Sequence, residues 1–380
     1  MITIGYLTDL PEPGKPAFSG VPKVAESFLR EFENRPGIRI EAVALVNDLP
    51  EPVIVQRGSV TYRHYPCKSA WKTATLFSAE IRMLRRLMKE FSCDLAHGQP
   101  TVFNMLAAAG SDLPNVLTVH GLLGRETKGL GRFSKASLQA GVKELMQKSA
   151  CKRANAIISI SPYVNQYLAG WTKAKVWDIP NPIDPEFFEV PPVNPDGLRI
   201  LCVGSVSIRK NQLLLVNACA ALRQRGVEFL CRIIGWIDPV LEPELRQTIR
   251  GSGLEASVTL EGKVPASTIL EAYSWANVVA LPSREETSPL SLIQALAGGR
   301  IAIGANEAGT PLLLDNERWG TVFNGTSHDS LAGLLESIAA NPAPYCLKAT
   351  SAAGHARTTF HPSGIADRTL EVYRSLLGRF

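Results

Sequence analysis

The chain has 380 residues and a formal net charge of +5, with 45% hydrophobic and 20% charged residues. This length and composition predict a globular protein of about two or three domains and exclude a disordered chain or a collagen-like repeat. No apolar run approaches the ~20 residues needed to span a bilayer, and residues 1–6 are typical of a strand rather than of a secretory leader, so we expect a cytoplasmic protein.

Strand-like and helix-like segments alternate along the first half of the chain. The apolar stripe after Gly20 has the i, i+3, i+4, i+7 spacing of an amphipathic helix, and a basic amphipathic helix is predicted over 76–91. Short apolar runs predict strands over 2–7, 38–46, 94–97, 115–120 and 154–160. Alternation of this kind predicts a parallel sheet with helices on both faces.

Six prolines between residues 180 and 195 interrupt this alternation, and proline at that density stops helices and central strands. The segment therefore predicts a linker between two domains. After it, strands are predicted over 198–203, 227–234, 258–261 and 278–281, and helices over 209–225, 240–251, 267–276 and 289–297. A last amphipathic helix is predicted over 362–377.

These elements predict an α/β protein with two Rossmann-like domains, residues 1–185 and 186–361, whose parallel sheets face each other across a cleft. Ligands of such sheets bind at the carboxyl ends of the strands, where helix N-termini point inward. The cleft is therefore the expected active site.

Positive charge is concentrated in the first domain. Residues 1–185 contain 23 Lys/Arg and 16 Asp/Glu, and eight of the basic residues fall between Arg125 and Arg153. Such a stretch attracts phosphates on a lipid surface, on a pyrophosphate-linked acceptor or on a nucleic acid, and it also fits a solvated helix face. No recognition helix, zinc finger or RNA-recognition signature accompanies it, so we expect no nucleic-acid partner.

Several common catalytic and binding motifs are missing from the sequence. It has no P-loop, no G-x-G-x-x-G after a strand, no H-E-x-x-H and no G-x-S-x-G. Its six histidines lack metal-ligand spacing, its seven cysteines form no C-x-x-C pair, and no D-x-D pair occurs. We therefore expect no metal ion and no other cofactor, and backbone amides, helix dipoles and cations would have to bind any phosphate.

Residues 282–299, with the sequence PSREETSPLSLIQALAGG, resemble the signature of the retaining glycosyltransferases of family 4, the glycosyl transferases group 1. Weaker matches to the same family follow in its order: FSGV at 18–21, LTVHG at 117–121, SIS at 159–161, PNPID at 180–184, RKNQ at 209–212 and LEGKV at 260–264. The resemblance implies the GT-B fold, in which residues 362–380 would form a helix that crosses back to the N-terminal domain. It also implies transfer of a sugar from a nucleotide diphosphate sugar.

The resemblance places a donor site in the C-terminal domain. The first carboxylate of the family signature, which holds the hydroxyl groups of the donor sugar, corresponds to Glu286, and the second, which holds the ribose, corresponds to Gln294. Lys210 resembles the family's diphosphate cation, with Arg209 beside it. Further donor-binding residues are expected at Gly20, Gly204, Val264, Ser288, Leu290 and Ser291.

The residue types around the signature agree with anion binding. Pro289 suits the first position of a helix because its missing N–H costs nothing there. The backbone N–H groups of Leu290 and Ser291 would then be free to face an anion, assisted by the helix dipole.

Other expected residues lie in the N-terminal domain. Gly20 would let the backbone approach the pyrophosphate. His120 matches a family position near the transferred sugar and, with Glu286 and Lys210, completes the expected catalytic set, although a histidine after a strand also fits a purely structural role. Acceptor contacts are expected at His97, Gln99 and Arg125.

The chain departs from the family pattern at three places. Gln294 replaces the second glutamate, Ser205 replaces an arginine, and residues 308–312 read AGTPL where relatives have Gly-Gly followed by Glu. An amide offers one acceptor oxygen where a carboxylate offers two, so we expect Gln294 to weaken donor binding by about 1–2 kcal/mol.

The leading hypothesis is a metal-independent, retaining glycosyltransferase that acts on a glycan, a lipid-linked or a small-molecule acceptor. Peripheral contact between the basic N-terminal domain and the cytoplasmic face of a membrane is compatible with it. Two alternatives are a sugar-nucleotide-binding protein without transfer activity, and a lipid-surface or nucleic-acid module that uses residues 121–153.

Overall fold

The computed structural model describes residues 1–11, 13–14, 20–47, 49–67, 75–124, 135–192 and 196–378. The chain divides into two compact units. Unit 1 contains residues 1–182 and 362–380, and unit 2 contains residues 183–361. The predicted domain boundary lies after residue 185.

Unit 1 is built around a sheet whose eight described strands run in the order β3-β4-β2-β1-β5-β6-β7-β8. The strands are β1 (Ile2–Leu7), β2 (Ile38–Val46), β3 (Val53–Arg57), β4 (Val60–Pro66), β5 (Leu95–Gly98), β6 (Asn115–Val119), β7 (Ala156–Ser159) and β8 (Lys175–Asp178). All pairs are parallel except the β3–β4 pair at one edge. The intervening helices are α1 (Val21–Arg30), α2 (Ser78–Glu90), α3 (Val102–Ala109), α4 (Lys135–Arg153) and α5 (Pro162–Leu168).

Unit 2 has a sheet whose six described strands are all parallel, in the order β11-β10-β9-β12-β13-β14. The strands are β9 (Arg199–Val203), β10 (Leu230–Ile234), β11 (Val258–Gly262), β12 (Val278–Leu281), β13 (Ile301–Ala305) and β14 (Thr321–Phe323). The helices are α6 (Gln212–Gln224), α7 (Glu242–Gly251), α8 (Ala266–Trp275), α9 (Leu290–Ala297), α10 (Thr310–Leu313), α11 (His328–Ala340) and α12 (Ala343–Phe360). The predicted α/β fold with two parallel-sheet units is confirmed.

The last helix, α13 (Pro362–Leu377), belongs to unit 1. Its buried residues Ile365, Leu370 and Tyr373 share one apolar cluster with Ile4 of β1. Every third or fourth residue of α13 is apolar, so the helix buries one face and leaves Glu371 exposed on the other.

Part of the predicted linker packs into the core of unit 2. Residues Pro185–Glu189 form a 3-10 helix, and Phe187 and Phe188 are buried in the core of unit 2. Arg357 of α12 donates a hydrogen bond to the carbonyl of Phe188 and forms a 3.1 Å ion pair with Glu189. Proline stops the helix and strand pattern as predicted, but the two phenylalanines fix the segment by burial.

Several parts of the fold were not predicted from the sequence, including the helix α3 and the strand β8 of unit 1. The antiparallel β3–β4 pair was missed because β3 is a mostly exposed edge strand without apolar alternation. The strands β13 and β14 and the helices α10 to α12 of unit 2 were also not predicted. They follow the helix over 289–297, which was predicted to complete the domain.

No helix within the described residues is both long enough and apolar enough to cross a membrane.

Candidate functional site

Two cations and one carboxylate meet at the carboxyl edge of the sheet of unit 2. Glu286 lies in the turn between β12 and α9, and Lys210 lies in the turn between β9 and α6. The Lys210 Nζ atom is 2.5 Å from Glu286 Oε1, and the Arg209 Nη1 atom is 3.4 Å from the same oxygen. The sequence separates these residues by 76 positions, and the parallel sheet brings them together.

The carboxyl group of Glu286 is ionised in spite of its burial. Its side chain is only 8% exposed, and burial alone would raise the pKa of this group. The charges of Lys210 and Arg209, together with the Lys210 hydrogen bond, outweigh burial and hold the pKa of Glu286 below its ordinary value. Two cations against one carboxylate leave this cluster with a net positive charge, which favours an anionic ligand.

Hydrogen bonds to backbone carbonyls hold the two turns of this cluster against each other. The Arg284 N–H donates to the Arg209 carbonyl at 2.9 Å, and the Arg209 guanidinium donates to the Glu285 carbonyl at 2.7 Å. Asn211 has a φ of 56°, and its side-chain amide donates to the Pro282 carbonyl at 3.3 Å. The polar side chain of asparagine tolerates this left-handed conformation better than most residues do.

Two glycines lie beside the cluster, the first suited to its backbone conformation and the second required by a close approach. Gly204, at the end of β9, has a φ of 152°, and a Cβ atom there would lie 3.6 Å from the Lys210 side chain. The Gly309 N–H donates to the Glu286 carbonyl at 2.8 Å, and a Cβ atom on Gly309 would approach the Thr287 carbonyl oxygen to 2.5 Å. A side chain at Gly309 would therefore push the Glu286 turn away.

Helix α9 begins at Leu290, one residue later than predicted, with Pro289 as the residue before it. No side chain caps this end of the helix. The N–H groups of Leu290 and Ser291 have no acceptor within their own helix because they belong to its first turn. Ser288 is half-buried beside them, and the helix dipole adds positive potential at this end.

Gln294 lies one turn further along α9, and its side-chain oxygen is already engaged. The Tyr273 hydroxyl of α8 is 3.0 Å from Gln294 Oε1 and 2.9 Å from the Ser291 carbonyl, and Tyr273 is fully buried. The Tyr273 hydroxyl has a single proton, so it can donate fully to only one of these two oxygens.

The remaining predicted donor-side residues of unit 2 lie at the same sheet edge. Val264 is half-buried in the turn between β11 and α8, and Ser205, directly after Gly204, is exposed. The Gly235 N–H after β10 donates to the Gly262 carbonyl at 2.8 Å, which joins the turn of β10 to that of β11.

A buried polar network lies at the carboxyl edge of the sheet of unit 1. His97 lies in β5, Gln99 directly follows that strand, and His120 directly follows β6. His120 Nε2 is 2.6 Å from Gln99 Oε1. His97 Nδ1 and Nε2 are each 2.7 Å from a hydroxyl, that of Tyr373 on α13 and that of Thr118 on β6, respectively.

Burial keeps both histidines of this network neutral. It lowers the pKa of His97 to about 3, with a smaller contribution from the charge of His120. Burial also lowers the pKa of His120 to about 4, although the Asn181 amide acts in the opposite direction. At neutral pH, each imidazole therefore presents one N–H donor and one acceptor nitrogen.

The acceptor contacts predicted for His97 and Gln99 remain predictions. Each residue is 2% exposed, and neighbouring side chains already contact their polar atoms. A direct contact with an acceptor would require these groups to become exposed and change partners.

Gly20 precedes α1 with a φ of 72°, and no atom of the described residues lies within 4 Å of where a Cβ atom would stand. This conformation favours glycine, and the open space is compatible with the predicted approach of a phosphate. Phe18 and Ser19 of the same motif lie outside the described residues, as does the predicted acceptor contact Arg125.

The functional residues that the sequence did not reveal are the partners of the predicted ones. They are Tyr273, Asn211, Tyr6, Thr118 and Tyr373. Asn211 belongs to the motif RKNQ and Thr118 to the motif LTVHG, whereas Tyr6, Tyr273 and Tyr373 stand in apolar segments that indicate core packing. In the described parts of both units, no group of three or more His, Cys, Asp or Glu side chains is placed to hold a metal ion.

Two family models, taken together, match nearly the whole chain. The family described as glycosyl transferases group 1 matches residues 184–355, and the one described as glycosyltransferase family 4 matches residues 18–187. The chain belongs to the group 1, family 4 glycosyltransferases.

Solved glycosyltransferase structures share its fold. Sucrose-phosphate synthase from Thermosynechococcus elongatus is 18% identical, with a TM-score of 0.82 and full coverage of both chains. HepE from Anabaena, solved in complex with UDP-glucose, is 17% identical, with a TM-score of 0.73 over 99% of this chain and 100% of HepE. These similarities confirm the GT-B fold.

Among curated proteins, the amylovoran biosynthesis glycosyltransferase AmsK of Erwinia amylovora is 31% identical over 144 residues, which cover 36% of this chain and 35% of AmsK. The chain spans less than half the length of the curated relatives that it matches, between 35% and 45%.

Removal of one partner from the buried ion pair of this glycosyltransferase should destabilise unit 2. We expect Lys210→Met to lose about 3 kcal/mol of unfolding free energy, because Glu286 would be left buried with weaker compensation. The double variant Lys210→Met/Glu286→Gln should lose less, since it buries no unpaired charge. Urea unfolding of the three proteins measures this, and an equal loss in both variants would contradict it.

Proposed function

We propose that the protein transfers a sugar from a nucleotide diphosphate sugar to a hydroxyl group of an acceptor. The observation that carries this proposal is the net positive cluster of Lys210, Arg209 and Glu286 at the sheet edge of unit 2. A diphosphate is the ligand whose charge and length suit two cations and an uncapped helix start.

The donor of HepE supports a nucleotide sugar as the donor class. HepE has been solved with UDP, with UDP and glucose, and with UDP-glucose. In our proposal, unit 2 holds the nucleotide, and Lys210, Arg209 and the first N–H groups of α9 bind the diphosphate. Glu286 then holds hydroxyl groups of the sugar.

In the proposed reaction, side chains of this protein stabilise the negative charge of the leaving group. As the bond between the anomeric carbon and the diphosphate breaks, negative charge grows on the leaving oxygen. Lys210 and Arg209 stabilise that charge without a bound metal ion, which is the largest contribution expected for such a reaction. We propose retention of configuration on the basis of the family signature around Glu286. The acceptor oxygen attacks the face that the diphosphate leaves, and its proton passes to the leaving diphosphate oxygen.

His120 and the basic surface of unit 1 serve the sugar and the acceptor in this proposal. AmsK and the D-inositol 3-phosphate glycosyltransferases are relatives whose names indicate saccharide and inositol phosphate substrates. A glycan, a lipid-linked sugar or a small polyol is therefore the proposed class of acceptor.

The proposal fails if the cations are not needed for transfer. We expect Lys210→Ala and Glu286→Ala each to lower transfer at least a hundredfold, since loss of a charge that acts in the transition state costs roughly 2.7–4 kcal/mol. Arg246→Ala, which removes an exposed cation on α7, is the control and should keep full activity. A coupled assay for nucleoside diphosphate release, with and without acceptor, measures this.

The same assay separates transfer from binding alone. The protein could bind UDP, GDP or ADP in a thermal-shift panel and yet release no nucleoside diphosphate from the corresponding nucleotide sugars. It would then be the non-catalytic binding protein instead.

Replacement of Gln294 by glutamate should tighten donor binding. The carboxylate offers a second acceptor oxygen while still accepting from Tyr273, so we expect Gln294→Glu to lower the Kd of the preferred nucleoside diphosphate about five- to thirtyfold, or about 1–2 kcal/mol. Titration calorimetry measures the Kd, and Gln294→Met serves as the control that removes the amide. Weaker binding by Gln294→Glu would show that the amide donors contact the ligand.

Helix α4 supports the proposed peripheral contact of unit 1 with an anionic membrane surface. Leu138 and Leu145, seven residues apart, are 73% and 68% exposed, and Lys152 and Arg153 are exposed at the end of the helix. Exposed leucines on a basic helix bind an anionic lipid surface by both apolar burial and charge.

Sedimentation with vesicles containing phosphatidylglycerol tests this contact. We expect Leu145→Glu to lower vesicle binding several-fold, whereas Leu347→Glu, at an equally exposed leucine of α12, should not change it. Absence of binding by the unaltered protein at low salt would contradict the proposed contact.

A further inference from the structure

Gln99 occupies the centre of the buried network in unit 1. Its side-chain oxygen faces His120 Nε2 at 2.6 Å, while its side-chain nitrogen faces the hydroxyl groups of Tyr6 and Thr8. The side chain therefore joins the end of β1 to the residue that follows β6.

The backbone of Gln99 is held from two sides. Its N–H donates to the Leu7 carbonyl at 2.9 Å, and its carbonyl accepts from the Asn104 side chain at 2.7 Å. With Gln99 only 2% exposed, its side chain has little freedom to turn away from His120.

The Gln99 amide has one orientation in the structure. Its nitrogen faces the hydroxyl groups of Tyr6 and Thr8, which can accept from it, and its oxygen faces His120.

An amide oxygen only accepts hydrogen bonds, so the His120 Nε2 atom opposite it must carry a proton. Because a neutral imidazole has one proton, Nδ1 of His120 is then the acceptor nitrogen. The contact with Gln99 favours this neutral form of the ring, and Asn181, whose side-chain hydrogen bond raises the pKa of His120, is a second polar neighbour of the ring.

We propose that Gln99 is a positioning residue that holds His120 as the Nε2–H tautomer, so that Nδ1 can accept a hydrogen bond from a substrate hydroxyl group. The use of His120 by the substrate rests on the proposed function, whereas the tautomer itself does not. Gln99 acts through His120 and does not need to touch the substrate.

The tautomer can be read directly by NMR. Two-bond proton–nitrogen spectra of the full chain, with its histidine rings labelled with nitrogen-15 and recorded at pH 8, distinguish the two forms, and the signals lost in His120→Asn identify His120. We expect the Nε2–H form in the unaltered protein and in Gln99→Glu, which keeps an acceptor oxygen. In Gln99→Met, which has a similar length and no acceptor, we expect a mixture or the Nδ1–H form.

Thr118→Val is the matched control. It removes a hydroxyl that contacts His97, not Gln99, so the His120 signals should keep the Nε2–H pattern. If Gln99 had only a structural role, Gln99→Met and Thr118→Val would both lower stability, and neither would change the tautomer of His120.

Transfer kinetics give the second readout. In Gln99→Met, we expect kcat to fall about tenfold, equivalent to about 1.4 kcal/mol, while the KM of the donor changes less than about twofold. Gln99→Glu should recover most of this loss.

The outcomes separate this inference from the proposed function. An Nδ1–H form of His120 in the unaltered protein, or the Nε2–H form kept in Gln99→Met, overturns the positioning role. Should Gln99→Met fail to fold, the unaltered protein and Gln99→Glu still decide the tautomer. An Nε2–H form in a protein without transfer activity would instead overturn the proposed function.

Discussion

The buried ion pair between Lys210 and Glu286 is the interaction on which the candidate site depends. A carboxylate in this position is costly unless a cation compensates it, and Lys210 approaches to 2.5 Å. The pair also constrains the backbone, because both turns must remain at the same sheet edge to preserve it. Arg209 adds the charge that leaves the cluster net positive and therefore suited to an anion.

The two units follow the same structural rule at their sheets. In each, polar side chains stand directly after parallel strands, where the chain leaves the core and backbone groups become available. Unit 2 places charges and an uncapped helix start at this edge, whereas unit 1 places neutral hydrogen-bonding groups at the ends of β5 and β6. The difference is reflected in the pKa of each group: that of Glu286 is held low by cations, and those of His97 and His120 are lowered by burial.

Most of the regular structure could be predicted from apolar periodicity. The strands over 2–7, 38–46 and 278–281 have the predicted bounds because they are apolar runs that the sheet buries on both faces. The helix over 362–377 has the predicted bounds because it buries one apolar stripe. The edge strand β3 was missed because most of its side chains are exposed. Pro185–Glu189 was read as part of a linker because proline content indicates where regular elements stop and says nothing about whether Phe187 and Phe188 are buried.

The sequence by itself determined the fold class and the motif residues Glu286, Lys210 and His120, because element periodicity and motif spacing are local properties of the chain. Only the tertiary structure decided which side chains contact the predicted residues. Tyr273 contacts Gln294, Gln99 contacts His120, and Tyr373 of the last helix contacts His97. Such contacts join residues 21 to 276 positions apart, and their partners stand in segments that are typical of core packing. Hydrogen-bond geometry in a buried site depends on where parallel strands end beside one another, and this is set by the packing of whole elements.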